Sequence, residues 1–506
     1  MPSDHVPAAP STPAAPSTPA DPAASSANTG SGALPETGRP AEEVLADLAR
    51  LRGADLPVRG GRVTAYVYDT GRAAVHDVAA TAYLEMLEVN CLDPTAFPSI
   101  VALERQIVAA VADRLGGGSG VFTSGGTESI MLAVKAARDA RPVGGTPQIV
   151  LPVTGHPAFH KAAHYLGMEV VPVPVDAAFR ADPAAVAAAI TPRTVLVVAS
   201  APSYPHGVMD PVPKIASAAA SAGVLCHVDA CVGGWVLPWL RDAGHDVPPF
   251  DLSVPGVTSL SCDLHKYGYA PKGASVVLFA EESLRRHSYF AAADWPGYTV
   301  INATVQSSKT AGPLAAAWAT LNAVGADGYR ELAVNAMRAA ERLVAGVKEI
   351  PGLRVLGDPV APLVAVASEE PGLDVFVVAD EARSRGWFFQ PQLSYAGIPP
   401  NLHFTLTGVS DVGPLLDVLA ESAEAARAAG PPDVPPGLVE TVAGLDLDEI
   451  DDAGFAELLA SAGVDLNAGG DGAARPSMAM VNAVLDALPP ATREALLVRF
   501  LSALYA

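Results

Sequence analysis

The chain is short of lysine, cysteine, aromatic residues and positive charge. Of its 32 basic residues, seven are lysine and 25 arginine, so a lysine inside an apolar stretch stands out. The four cysteines (Cys91, Cys226, Cys231 and Cys262) form no CxxC pair and no metal-ligand spacing. They give neither a disulfide framework nor a metal site, and a reduced, cytoplasmic protein is the simplest expectation. Acidic residues outnumber basic ones by 54 to 32, a net charge of −22. This charge argues against nucleic acid or an anionic membrane surface as a general partner. No run of about 18 uncharged apolar residues occurs, so no membrane span is expected. The N-terminus shows no basic-then-apolar leader.

Half of the residues, 50%, are hydrophobic, and 506 residues are too many for one core. Residues 1–40 are rich in Ala, Pro and Ser and read as a disordered tail. Within it Leu34–Gly38, "LPETG", matches a cell-wall sorting signal by chance, since the apolar helix and basic tail that must follow it are missing. Residues 41–100 read as an N-terminal helical segment, 101–325 as a large domain, 326–430 as a small C-terminal domain and 431–506 as an extension. In the extension "NAGGDGAARP" reads as a mobile loop. Between residues 148 and 279, apolar runs such as "QIVLPV", "TVLVVAS", "VLCHVDA" and "ASVVLF" alternate with helical patterns. That alternation predicts an α/β fold with a mainly parallel sheet.

Four pieces carry chemistry. In "TSGGTESI", Gly126 and Thr127 precede a helical pattern; they read as a phosphate site at a helix N-terminus, or as a plain glycine turn with Thr127 as cap. In "TGHPAFHKAAHYLG", His156 lies where a ring could rest flat on a cofactor. His160 and His164 follow at i+4 spacing, but the carboxylate of a HExxH zinc motif is missing, so they read as helix-surface residues rather than metal ligands. In "CHVDAC", Asp229 ends a buried strand, where α/β sheets place ligands; it would pair with a protonated ring nitrogen, or else cap a turn. In "DLHKYGYAPKG", Lys266 is placed to bond an aldehyde, and burial is expected to free its proton readily. Together the four describe a pyridoxal 5'-phosphate site.

The blocks "TSGGTESI", "HVDACVGGW", "SYPHGVMDPVP", "GVTSLSCDLHKYGYAPKG" and "DWPG" resemble the sphingosine-1-phosphate lyase family. The likeness runs from about Gly61 to the C-terminus and is most specific around Lys266. It implies the fold of the fold-type I pyridoxal phosphate transferases, the aspartate aminotransferase-like class, near the group II decarboxylases. It implies a homodimer with the site at the interface and Lys266 as the lysine that carries the cofactor. It implies that Asp229 and His156 hold the ring, and that Gly126, Thr127 and His265 take the cofactor phosphate. Ser308 would reach it from the other subunit, and Tyr68, Asn90 and Lys272 would face the substrate. The membrane anchor of eukaryotic members is missing, which implies a soluble, bacterial-type member.

Two departures stand out. Asp93 in "NCLDP" replaces the usual histidine and would repel a substrate phosphate, on the order of 1 kcal/mol at partly screened short range. Lys309 in "SSKTAG" replaces an arginine, giving a point charge in place of a fork. The expected activity is retro-aldol cleavage of a phosphorylated 2-amino-3-hydroxy long-chain base. Amino-acid decarboxylation by the same cofactor, a carboxy-lyase reaction, is the alternative, and a non-catalytic scaffold is a third.

Overall fold

The computed structural model describes residues 34–445, 450–461 and 477–505. The predicted tail, up to residue 33, and the predicted loop at 467–476 lie outside the described residues. Contacts divide the chain into two units, residues 1–55 with 465–475, and residues 56–464 with 476–506. In the first unit α1 (Ala41–Leu51) carries two acids in its first turn and an arginine in its last, as the macrodipole favours.

In the second unit α2 (Ala73–Glu85) and α3 (Pro98–Arg114) lead into the sheet. The sheet region runs β1 (Ser119–Thr123), α4 (Gly126–Ala140), β2 (Gln148–Pro152), α5 (Ala158–Leu166), β3 (Glu169–Val173), α6 (Pro183–Ala189), β4 (Thr194–Ser200), α7 (Val212–Ser221), β5 (Leu225–Asp229), α8 (Gly233–Asp242), β6 (Ser259–Asp263) and β7 (Ser275–Phe279). These seven strands form one sheet, ordered β1-β7-β6-β5-β4-β2-β3. Only β7 runs antiparallel to its neighbours, β1 and β6. The expected mainly parallel α/β sheet is thus present. In β4, Val197 and Ala199 join the core on one face while Leu196 and Val198 join the core on the other. A strand covered on both faces has no position for a polar side chain, hence its unbroken apolar run.

A short hairpin, β8 (Phe290–Ala292) and β9 (Val300–Asn302), follows α9 (Glu282–Arg286). The long α10 (Gly312–Val347) then leaves the sheet region, kinked at Gly325, whose φ of 64° only glycine adopts freely. Before and just after the kink α10 packs in the large core through Leu314, Val324 and Leu332; farther on, Ala340, Leu343 and Val347 enter a second core. That core covers a four-stranded antiparallel sheet ordered β10 (Leu353–Leu356), β11 (Leu363–Ser368), β13 (Asn401–Thr405) and β12 (Gln390–Gln392). Helices α11 (Val375–Ser384) and α12 (Val412–Ala429) lie against it. Beyond them come α13 (Leu438–Ala443), α14 (Asp452–Ser461), α15 (Met478–Ala487) and α16 (Pro490–Leu504). Ala479 of α15 joins the second core, and Asp380 of α11 accepts the Ala479 N–H and the Ser477 hydroxyl, each at 2.9 Å.

Candidate active site

The parallel strands bring the four chemical pieces to one edge. β5 ends at Asp229, in register with Ser200, the last residue of β4, and Ser261 of β6. β6 ends at Asp263, whose register partner Ser275 also pairs with Thr123, the last residue of β1. The loop between β6 and β7 carries His265, Lys266 and Lys272. Gly126, at the start of α4, follows β1, and His156 follows β2.

Asp229 is only 8% exposed. Its Oδ1 accepts the Cys231 N–H at 3.1 Å and the Ser261 hydroxyl at 3.5 Å. His156 Nδ1 accepts the Ala158 N–H at 3.1 Å, which puts the proton of the neutral ring on Nε2. Burial lowers the His156 pKa and outweighs the pull of Asp229, so the ring is neutral. His160 and His164 point outward on the exposed face of α5.

The turn before α4 is tied on both sides. Ser124 N–H donates to one oxygen of Glu128 at 2.7 Å, and Val305 N–H to the other at 2.8 Å. Thr127 is exposed on the first turn of α4. A Cβ on Gly126 would stand 2.8 Å from Cys231 Sγ and from Asp263 Oδ2, so only glycine fits. His265 faces the same turn: its Cε1 is 3.4 Å from where a Gly125 Cβ would stand. Its Nδ1 accepts the Ala274 N–H at 3.2 Å. Burial pushes its pKa down to about 4, so this ring too is neutral.

Lys266 corrects one expectation. Burial alone would lower its pKa, but Lys266 Nζ lies 2.9 Å from Asp263 Oδ2. That carboxylate, with smaller contributions from Cys231 and Tyr68, reverses the effect and raises the pKa. Without an aldehyde the lysine is held as an ammonium. Asp263 itself was not singled out in the sequence. The signal for it was there: an acid closing a strand three residues before the lysine.

Of the expected substrate residues, two converge on Lys266. Lys272 Nζ sits 5.0 Å from the Tyr68 ring centroid and donates to the His265 carbonyl at 3.3 Å. Tyr68 packs edge-on to Tyr267, centroids 5.1 Å apart. Burial, then the neighbouring Lys266, lower Lys272 to about 8. Burial raises Tyr68 to about 12.

Asn90 and Ser308 make other contacts. Asn90 bridges to Thr310 and its Oδ1 accepts the Leu92 N–H at 3.0 Å. Ser308 is exposed, its carbonyl taking Gln306 Nε2 at 3.3 Å. Among the described residues no hydrogen bond or ion pair joins either to Lys266 within one chain. Asp93 is engaged in its own turn: Oδ1 accepts the Thr95 N–H at 2.8 Å and the Thr95 hydroxyl at 2.6 Å. The Thr95 hydroxyl, then the N–H groups, hold its pKa below the usual carboxylate range. Lys309 Nζ donates to Thr304 Oγ1 at 2.9 Å. With Cys91, Glu104 and Arg285 it lines a cavity of about 800 Å³ that also reaches Ser124 and Gly273.

These residues fit pyridoxal phosphate. A glycine turn opens a helix, a buried aspartate ends β5, a half-buried lysine lies just beyond β6, and a neutral ring stands on the loop between β2 and α5. Residues 104–367 match the aminotransferase class-V family, and residues 436–503 match a pyridoxal-dependent enzyme C-terminal putative HTH domain. A sphingosine-1-phosphate lyase of Oryza sativa subsp. japonica is 37% identical over 396 residues, 76% of this chain and 72% of that protein.

The chain belongs to the sphingosine-1-phosphate lyase family.

Sphingosine-1-phosphate lyase 1 of Rattus norvegicus is 38% identical over 380 residues, 74% of this chain; the matched part is 66% of the rat protein's length, just under two thirds. The solved structure of the sphingosine-1-phosphate lyase of Burkholderia pseudomallei K96243 superposes with a TM-score of 0.73 at 35% identity, covering 78% of this chain and 93% of that one. The chain is a pyridoxal phosphate-dependent member of this family with the fold-type I architecture. Among the described residues no helix is long and apolar enough to cross a membrane.

Proposed function

We propose that the chain is a carbon–carbon lyase. Its substrate is a phosphorylated 2-amino-3-hydroxy long-chain base, and its products are a long-chain aldehyde and phosphoethanolamine. The observation that carries this reading is the convergence of Lys272 and Tyr68 on Lys266: a second cation and a phenol beside the cofactor lysine suit a substrate that brings its own phosphate. Family membership supports the same reading, and nothing favours the decarboxylase over it.

When bound, pyridoxal phosphate supplies an electron sink for charge left on the carbon beside the amine. The first-turn N–H groups at Gly126 and Thr127, with His265, hold its phosphate. His156 would support the ring, and Asp229 would pair with a protonated ring nitrogen. Lys266 would carry the cofactor. Lys272 and Tyr68 would pair with the substrate phosphate, the exposed lysine as a cation and the half-buried tyrosine as a hydroxyl donor.

The proposal includes a homodimer, in which Asn90 and Ser308 serve the site of a second copy. Neither side chain bonds to Lys266 within one chain, which leaves both free to serve a partner's site. So does the exposed apolar hairpin, with Phe290 56% and Ile301 63% exposed. Four unpaired cysteines support a cytoplasmic setting. The test is mass spectrometry of the products from dihydrosphingosine phosphate. Long-chain aldehyde and phosphoethanolamine are expected from the wild type and neither from Lys266→Ala. A cofactor-loaded enzyme that leaves this compound intact would overturn the substrate assignment.

A further inference from the structure

Asp263 stands between two things the cofactor must reach. It is 2% exposed and closes β6. Its Oδ2 lies 2.9 Å from Lys266 Nζ and 3.7 Å from His265 Nε2. Its Oδ1 is buried without a hydrogen-bond partner. Both oxygens lie within 2.9 Å of where a Gly126 Cβ would stand, against the turn that receives a phosphate. One carboxylate therefore touches the lysine and borders the anion site.

We propose that Asp263 is the proton acceptor for Lys266 during cofactor loading, and that an anion arriving at the Gly126 turn drives the transfer. The Lys266 ammonium passes one proton to Asp263 Oδ2. The freed lone pair adds to the aldehyde carbon. The two remaining amine protons and the aldehyde oxygen leave as water, and a carbon–nitrogen double bond remains. Before the anion arrives, the carboxylate and ammonium hold each other charged. A phosphate at the Gly126 turn favours the ammonium as well as the protonated acid, but the Asp263 oxygens, not Lys266, are among the nearest atoms to that turn, so the acid gains more. The pair then relaxes to acid and amine with no change in its net charge.

The other groups facing the pair do not supply this switch. His265 on the same loop and His156 from the β2–α5 loop are held neutral by burial. Lys272, also on the loop, opposes a charge on Lys266 below about pH 8, with or without the anion. Cys231 and Cys262, with Tyr68 and Tyr204, are thiols and phenols whose pKa values burial raises. Asp229, beyond Cys231, faces the His156 side.

The test uses apoenzyme and pyridoxal, the aldehyde without its phosphate, with and without inorganic phosphate. Borohydride traps the product and mass spectrometry reads the label on Lys266. At neutral pH the wild type is expected to label slowly, and phosphate to speed labelling about tenfold, one pK unit of relief. Asp263→Asn is expected to lose the phosphate effect and to label at lower pH, because the ammonium has lost its partner. Asp263→Glu, which keeps the carboxylate, is expected to retain the phosphate effect. A wild type indifferent to phosphate across the pH range overturns the proposal, and this arm stands even if Asp263→Asn does not fold. So does an Asp263→Asn protein with undiminished phosphate acceleration. The inference rests on the cofactor and not on the bond cleaved. If borohydride never finds cofactor on Lys266 of the holoenzyme, the cofactor assignment itself has failed.

Discussion

At the scale of the residue, one methyl group and one proton decide most. Gly126→Ala would drive a Cβ to within 3 Å of Asp263 and Cys231, neither of which can move in a buried pocket. Cofactor affinity is expected to fall by tenfold or more, roughly the 1.4 kcal/mol of a modest packing strain; titration of apoenzyme followed by the visible band measures it. Lys272 is the pH-sensitive partner of the substrate. Burial and Lys266 set its pKa near 8, so the cation is present below that pH and lost above it. The expected result is a kcat/KM that falls above about pH 8, and a Lys272→Gln variant whose lower kcat/KM no longer has this limb. A variant with the wild-type profile would assign the limb to another group. Asp229, Lys266, Gly126 and His156 were legible because each is fixed by a local pattern, a strand end or a glycine before a helix. The Lys266 charge was not legible, because it depends on the 2.9 Å contact with Asp263 that the loop geometry creates.

At the scale of the element, the carboxyl edge of the sheet does the assembling. The hydroxyl chain Thr123–Ser129–Ser275, at 2.6 and 2.9 Å, ties β1, α4 and β7 beneath the glycine turn. Tyr267, next to Lys266, sits 2.9 Å from the carbonyls of Pro362 and Leu406 and so anchors the catalytic loop to the smaller sheet. One acid of α11 helps to hold α15. Asp380 of α11 takes the N–H of Ala479 in the first turn of α15, a cap supplied by another helix. Asp380→Ala is expected to cost about 1 kcal/mol, the worth of an N-cap. Hydrogen exchange should rise across residues 478–487 while the cofactor band stays unchanged. Loss of the band as well would show that α15 supports the site. The helical pattern of the C-terminal segment was visible in sequence, whereas its cap was not, since donor and acceptor lie far apart in the chain.

At the scale of the molecule, the core holds three neutral histidines. His227 lies between Ser259 and Ser261, His206 stacks on Phe179, and His403 stacks on Tyr204. Burial lowers all three, to about 4, 4 and 3 respectively. Unfolded histidines near 6.5 bind protons that the folded ones refuse, so stability rises with pH across this window and falls as pH drops from about 6.5 to 4. Asp210, raised to about 6 by burial, and Glu104, also raised by burial, act the other way, but the histidines lowered by burial, with His156 and His265 added to these three, outnumber them. The melting temperature is expected to decline steadily through this range, with proton uptake on unfolding; a flat profile would mean that the three rings are not held neutral.

The sequence by itself determined the elements and the chemistry of the cofactor site. Strand and helix periods, glycine turns and acids at strand ends are local features, and local sterics and burial suffice to place them. Tertiary structure decided which of those groups touch. Tyr68 meets Lys272 because the segment before α2 crosses the β6–β7 loop. Asp93 bonds its own turn, and Asn90 and Ser308 bond to groups other than Lys266. Distances between residues remote in the chain follow from the packing of whole elements, and packing is a property of the folded core rather than of any one stretch.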